Sequence, residues 1–288
     1  MSRIAYVNGR FCPIEDASIS ILDRGFIFAD GIYEVTAVLD GKLVDYPGHI
    51  ARLHRSLGEI QLSCPVKDDE LLELHKDLAR QNGLTEGGIY LQVTRGAADR
   101  DFKFPGGDVK PSLVMFTQAR SIRHSKDAET GIAVKTVPDI RWQRRDIKSI
   151  ALLAQVLAKQ EAAAAGCAEA WMMDQDGNIT EGGSSSAFIV TQDGTLIARP
   201  LSNEILPGIT RIAMLKLAEE LQVNIEYRTF TLREALQARE AFNTSASGFV
   251  MPVVKIDSQT VSDGKPGALS RRLRTLYIDE ALSSGIEI

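Results

Sequence analysis

Cysteine is scarce in this 288-residue chain: Cys12, Cys64 and Cys167 are odd in number and far apart. With no CxxC pair, neither a disulfide framework nor a zinc site is expected, and a reducing, cytoplasmic setting follows as the default. Histidine is nearly as rare. His49 and His54 stand five apart on an expected helix and so face differently, while His75 and His124 are isolated, so no metal motif is assembled. Positive charge is not in excess either: 33 Lys and Arg against 38 Asp and Glu leave a net charge of -5, with no basic face for nucleic acid. No run of 18 or more apolar residues is present to span a membrane. The first residues, Met1 to Gly9, alternate like a strand entering a turn and lack the apolar core of a signal peptide.

What remains is a composition ordinary for a globular protein and a length sufficient for two modest domains. Tyr33–Leu39 and Lys42–Asp45 flank Asp40-Gly41, a strong hairpin signal. Helical spacing runs over Pro47–Ile60 through Ile50, Leu53 and Leu57. A second helix, opened by acidic residues, covers Asp68–Gln81. Ile89, Leu91 and Val93 mark a half-buried strand that empties into the long loop Gly96–Gly107, followed by a strand over Ser112–Thr117. The polar stretch Arg120–Thr130 has few apolar anchors and suggests a boundary, with a small N-terminal domain over 1–120 and a larger one over 121–288. In the second half we expect strands at Ile132–Val137, Ala168–Met173, Ala187–Val190, Asn224–Phe230, Ala241–Thr244 and Val250–Ile256. Helices are expected at Ser149–Ala165, at Ile209–Leu221, briefly from Thr231, and at the C-terminus. Strands and helices mix without a strict βαβ rhythm, which points to α+β.

Lys148 closes the run Arg141-Trp142-Gln143-Arg144-Arg145-Asp146-Ile147 and precedes the expected helix, an element boundary where a reactive side chain can be aimed. Glu181 stands second in Thr180–Ser186, a carboxylate followed by small donors. Gly208 opens a helix whose unpaired N–H groups favour an anion, and Thr244–Gly248 gathers further small donors. An amine, a carboxylate and a phosphate cradle are what pyridoxal 5'-phosphate (PLP) requires: a Schiff-base lysine, an acidic partner for the pyridine nitrogen, and donors for the phosphate. Taken singly, a lysine is usually a solvated charge, and each Gly/Ser cluster could be a structural turn.

Several segments together carry a resemblance. Asp23–Val35, Arg141–Ser149, Ala154–Ala162, Thr180–Phe188 and Pro207–Arg211 resemble, in order, the class IV aminotransferases of PLP fold type IV, and most of all their D-amino acid branch. The resemblance implies a two-domain fold with a PLP-binding C-terminal domain, and a homodimer with its site at the interface. It implies that Lys148 binds the cofactor and shuttles the α-proton, that Glu181 partners the pyridine nitrogen, and that Tyr33 stands near the substrate carboxylate and the lysine. Arg52, Ser184, Ser185, Ile209, Thr210, Ala246 and Ser247 match the phosphate-binding set. Arg100 matches a loop arginine that traps the substrate carboxylate, a task suited to a guanidinium. The chain departs from the D-amino acid pattern at Phe102, where that pattern has histidine, at Gly183 in place of serine, and at Ser186 in place of asparagine.

The activity so implied is a ping-pong transfer of the amino group of a D-amino acid such as D-alanine to a 2-oxo acid, 2-oxoglutarate or pyruvate. Transamination of branched-chain L-amino acids or (R)-amines, and 4-amino-4-deoxychorismate lyase chemistry, are the alternatives on the same fold. Tyr33-Glu34-Val35 and Arg100 favour the D-amino acid branch.

Overall fold

The computed structural model describes residues 2–288. In chain order the elements are β1 (Ile4–Val7), β2 (Arg10–Pro13), α1 (Arg24–Phe28), β3 (Gly31–Leu39), β4 (Lys42–Leu43), α2 (Tyr46–Glu59), α3 (Asp68–Gln81), β5 (Gly87–Thr94) and β6 (Ser112–Ala119). Next come α4 (Lys126–Thr130), β7 (Ile132–Pro138), α5 (Leu153–Ala164), β8 (Glu169–Met173), β9 (Ile179–Gly182), β10 (Ser186–Val190), β11 (Leu196–Ala198) and α6 (Ile209–Glu220). The last are β12 (Ile225–Tyr227), α7 (Leu232–Leu236), β13 (Glu240–Ser245), β14 (Phe249–Ile256), β15 (Gln259–Thr260), α8 (Ala268–Ser284) and β16 (Ile286–Glu287). The chain divides into two compact units. One holds the residues up to Ser121 together with Ile147–Ala151 and Ala281–Ile288; the other holds Ile122–Asp146 and Leu152–Glu280.

The first unit is built on an antiparallel sheet in the order β16-β4-β3-β5-β6-β1-β2. Asp40 and Gly41 turn β3 into β4 with φ of 48° and 74°, the left-handed pair a two-residue hairpin requires. The apolar stripe of α2, Ile50, Leu53 and Leu57, is buried with Leu71 and Leu78 of α3 and with Ile89, Leu91 and Val93 of β5. Helical spacing and strand alternation therefore meet in one core, as the two periodicities predict.

The second unit carries a nine-stranded mixed sheet in the order β12-β11-β10-β13-β14-β7-β8-β9, with β15 beside β14. The pairs β11–β12, β14–β7 and β7–β8 are parallel and the rest antiparallel. Its strands β9, β10 and β11 are buried throughout, as in Ser186–Val190. The architecture is α+β.

Four local expectations change. The helix expected from Ser149 begins at Leu153, because the residues before it are committed to the sheet: Tyr33 N donates to Lys148 O (3.1 Å) and Ile150 N to Gly31 O (3.1 Å). The polar stretch before β7 contains α4 and buries Ile122 and Ala128. The strand expected over Asn224–Phe230 shortens to Ile225–Tyr227, since Thr231 is already the cap of α7, in a reciprocal capping box with Glu234. Thr180, Glu181 and Gly182 lie in β9, so only Gly183–Ser185 form the turn into β10.

Candidate active site

In the first unit the site begins with strand alternation. Tyr33 and Glu34 are neighbours on β3 and so point to opposite faces. Tyr33 stacks on Tyr90 (5.6 Å between centroids), which stacks on Phe116 (4.7 Å), forming a row of rings across β3, β5 and β6. Lys148 lies along the edge of β3 next to Tyr33; its backbone N–H donates to Ser56 Oγ of α2 (3.2 Å), and its Nζ lies 4.1 Å from the Tyr33 ring centroid. An ammonium over a tyrosine face is stabilised by the ring quadrupole. Lys148 and Tyr33 are thus brought together.

Behind them Glu34 is buried and receives Arg52 in a fork, Nε to Oε1 at 2.7 Å and Nη2 to Oε2 at 2.8 Å, while His49 Nδ1 sits 2.8 Å from Oε2. Burial pushes the Glu34 carboxyl up, but the charge and hydrogen bonds of Arg52, with those of His49, bring it down to about 2. Arg52 is therefore a fixed cation on α2 whose orientation depends on Glu34. Arg100 is exposed on the loop after β5, against Phe28 and Phe102.

In the second unit the buried carboxylate of Glu181 accepts from Arg141 Nη1 and lies 3.2 Å from Leu206 N–H through each oxygen. Arg141 is in turn forked on Asp139, Nε to Oδ1 at 2.9 Å and Nη2 to Oδ2 at 2.7 Å. Thr180 Oγ1 also donates to Asp139 Oδ2, at 2.7 Å. Burial raises the Glu181 carboxyl above the usual carboxylate range; Arg141 and the Leu206 N–H pull it down without offsetting that desolvation. A buried carboxylate so placed would gain from a second cationic N–H, the kind a protonated pyridine nitrogen offers. The Asp139–Arg141–Glu181 chain was not anticipated. Arg141 stood in the run before Lys148, but nothing local revealed that β9 would lay Glu181 against it.

The expected phosphate set separates into parts. Ile209 and Thr210 open α6, whose first-turn amides have no intrahelical acceptor and no side-chain cap. Gly208 precedes them; a Cβ there would come within 3.0 Å of Ser186 Oγ, so glycine keeps this corner open. Ser186 is paired in register with Thr244, whose buried Oγ1 has no hydrogen-bond partner. Ala246 and Ser247 lie in the turn that follows. An uncapped helix start with an orphaned hydroxyl nearby suits an anion. Ser184 and Ser185, by contrast, turn their hydroxyls onto Glu169 Oε2, at 2.9 and 3.1 Å. Glu169 also pairs with Lys159 Nζ (3.1 Å). Either serine could reach a phosphate through its hydroxyl only by leaving that carboxylate. Thr244 stood in the sequence only as the first of the small donors Thr244–Gly248; that its hydroxyl is buried without a partner is a property of packing.

The first unit supplies a cation over an aromatic ring, and the second supplies a buried carboxylate with capacity for another N–H and an uncapped helix start; these are donor types that fit PLP. The family described as amino-transferase class IV matches residues 31–256. A D-alanine aminotransferase of Staphylococcus epidermidis is 41% identical over 269 residues, covering 93% of this chain and 94% of its own. That of Bacillus licheniformis is 38% identical over 276 residues, 96% of each. The structure of a branched-chain amino acid aminotransferase from Escherichia coli superposes with a TM-score of 0.85 at 23% identity, covering 98% of this chain and 95% of that one. The chain belongs to the class IV aminotransferases and has their fold. It is a PLP-dependent transaminase.

Proposed function

We propose that this transaminase takes the amino group of a D-amino acid, D-alanine or one like it, and passes it to 2-oxoglutarate or pyruvate in a ping-pong cycle. The observation that carries the reading is the pair of relatives named D-alanine aminotransferase, which match almost the whole chain at about two-fifths identity. Bound PLP supplies an electron sink for the carbanion at the substrate α-carbon. Lys148 Nζ holds the cofactor and then carries the proton from that carbon. The Tyr33 ring keeps the amine positioned between these tasks. Glu181 pairs with the protonated pyridine nitrogen, and Arg141, braced by Asp139, favours the charged form of Glu181 against its burial and orients it. Arg52, the amides of Ile209 and Thr210 and the Ala246-Ser247 turn bind the phosphate, and Ser184 and Ser185 join them once their hydroxyls leave Glu169. Arg100 receives the substrate carboxylate.

The working form in this reading is a homodimer in the cytoplasm. Leu153, Val156 and Leu157 expose an apolar stripe on α5, and Ile21, Phe26 and Phe104 are exposed in the first unit. The three cysteines are free, and among the described residues no helix is long and apolar enough to cross a membrane. Branched-chain L-amino acid transamination is the second reading, favoured by the name of the Escherichia coli structure. Incubating the holoenzyme with 2-oxoglutarate and D-alanine, L-alanine or L-leucine in separate reactions tests the choice. D-glutamate and pyruvate should form from D-alanine; faster consumption of L-leucine would replace the first reading by the second.

A further inference from the structure

Arg100 differs from the buried arginines of its unit. Arg24 and Arg95 share Asp30, with Nε to Oδ2 distances of 2.8 Å each, and Arg52 is forked on Glu34. Each of these guanidinium groups is committed to a carboxylate. Arg100 is exposed, and among the described residues no carboxylate or other acceptor takes its N–H groups. Its guanidinium carbon lies instead 5.4 Å from the Phe28 ring centroid and 5.3 Å from that of Phe102. The two rings are themselves 5.4 Å apart and tilted by 43°.

This support is anchored from below. Phe28 closes α1, and Arg24 of the same helix stacks on its ring at 4.8 Å. Arg24 also donates from Nη1 to Asp101 O at 2.6 Å, fixing the backbone between Arg100 and Phe102. Further along the loop Phe104 packs on Arg95 at 3.6 Å. Before Arg100, Ala98 N–H donates to Leu22 O at 3.2 Å, so the loop is held on both sides of Arg100, and α1 is capped by Asp23, which also accepts from Thr94 and Ser112.

We propose that Phe28 and Phe102 are positioning residues that clamp Arg100 through their ring faces and present its uncommitted N–H edge to the α-carboxylate of the substrate. An arginine held by a carboxylate would have to surrender that partner when substrate arrives, whereas a ring attracts the cation without occupying its in-plane donors. Phe102, which cannot donate a hydrogen bond to the substrate, thus assists by orienting the residue that can. The inference rests on the amino acid transaminase reading and on Arg100 as the carboxylate anchor, but not on the handedness of the donor.

The test uses the holoenzyme and its Phe102→Leu, Phe102→Trp and Phe28→Leu/Phe102→Leu variants. Phe102 is 77% exposed, so replacing it removes little of the core. KM is measured for whichever alanine enantiomer turns over faster, together with Ki for propionate, a carboxylate without an amine, and for propylamine, an amine without a carboxylate. Phe102→Leu should raise KM and the propionate Ki about three- to fivefold and the double variant about tenfold, the size of exposed cation–π contacts. Phe102→Trp should stay within about twofold of wild type, kcat should fall less than KM rises, and the propylamine Ki should not move. A Phe102→Leu enzyme with wild-type KM and propionate Ki overturns the clamp. So does a Phe102→Trp enzyme as weak as Phe102→Leu, or a loss shared equally by propylamine. Faster turnover of L-alanine than of D-alanine instead overturns the D-amino acid reading and leaves the clamp to be judged on the L enantiomer.

Discussion

Glu34→Gln replaces the buried carboxylate with a group of the same shape that mimics its protonated state. In the wild type, Glu34 accepts both prongs of the Arg52 fork and lies 2.8 Å from His49 Nδ1. The fall of its carboxyl from 4.5 to about 2 corresponds to a preference for the ionised form on the order of 3 kcal/mol. Removing one partner of a buried ion pair costs about 3–5 kcal/mol in general, so the two routes agree. Because the folded value is depressed, this contribution is fully present above pH 4.5 and is lost as pH falls through about 2. Urea unfolding of the apoproteins, with cofactor removed so that ligand linkage does not enter, should show Glu34→Gln about 3 kcal/mol less stable at pH 7. The difference between the proteins should shrink as the wild type is taken from pH 4.5 towards pH 2. A variant within about 1 kcal/mol of wild type at pH 7, or a difference that does not change with acid, would refute an ionised Glu34 holding Arg52.

Lys148→Ala is expected to abolish both turnover and borohydride-trappable cofactor; label mapped by mass spectrometry to another lysine would reassign the role. Glu181→Gln should still bind PLP but lose a few kcal/mol of barrier lowering, about the effect of one positioned electrostatic group, read as a drop in single-turnover rate. Arg141→Met should be worse for stability than Glu181→Gln, since it leaves the buried carboxylates of Asp139 and Glu181 without their shared guanidinium; equal unfolding midpoints would contradict that. His75 is buried with Nδ1 2.7 Å from Leu71 O, and burial pushes its imidazole down to about 4. The fold therefore favours neutral His75: its contribution, on the order of 3 kcal/mol, is present above pH 6.5 and lost as pH falls through about 4. His75→Phe should flatten stability across that window, and unchanged steepness there would show that another group sets it.

Much of the scaffold was legible because local periodicity and punctuation agree with the tertiary solution. The stripe Ile50, Leu53, Leu57 made α2 readable, Asp40-Gly41 made the hairpin readable, and the acidic start of Asp68–Gln81 matched α3. Lys148 and Glu181 were found as residue types in an order that resembles a family, since a reactive amine and a carboxylate ahead of small donors leave a trace in sequence. That the segment around Lys148 is extended could not be read locally. Ile150, Leu153 and Leu157 carry helical spacing, but the unfilled edge of β3 at Gly31–Tyr33 offers backbone partners that outweigh it for the residues before Leu153. Likewise, sequence marked Ser184 and Ser185 as donors without showing that they point at Glu169. It exposed Arg141 as one of several arginines without showing that its guanidinium joins Asp139 to Glu181. Phe102 read as the loss of a donor, whereas its packing places a ring against Arg100. The chain by itself determined which elements form and which chemistries are present, because those depend on neighbours a few positions away. The partner that each charged or hydroxyl group meets was decided only by the tertiary structure, because strand pairing joins residues tens of positions apart.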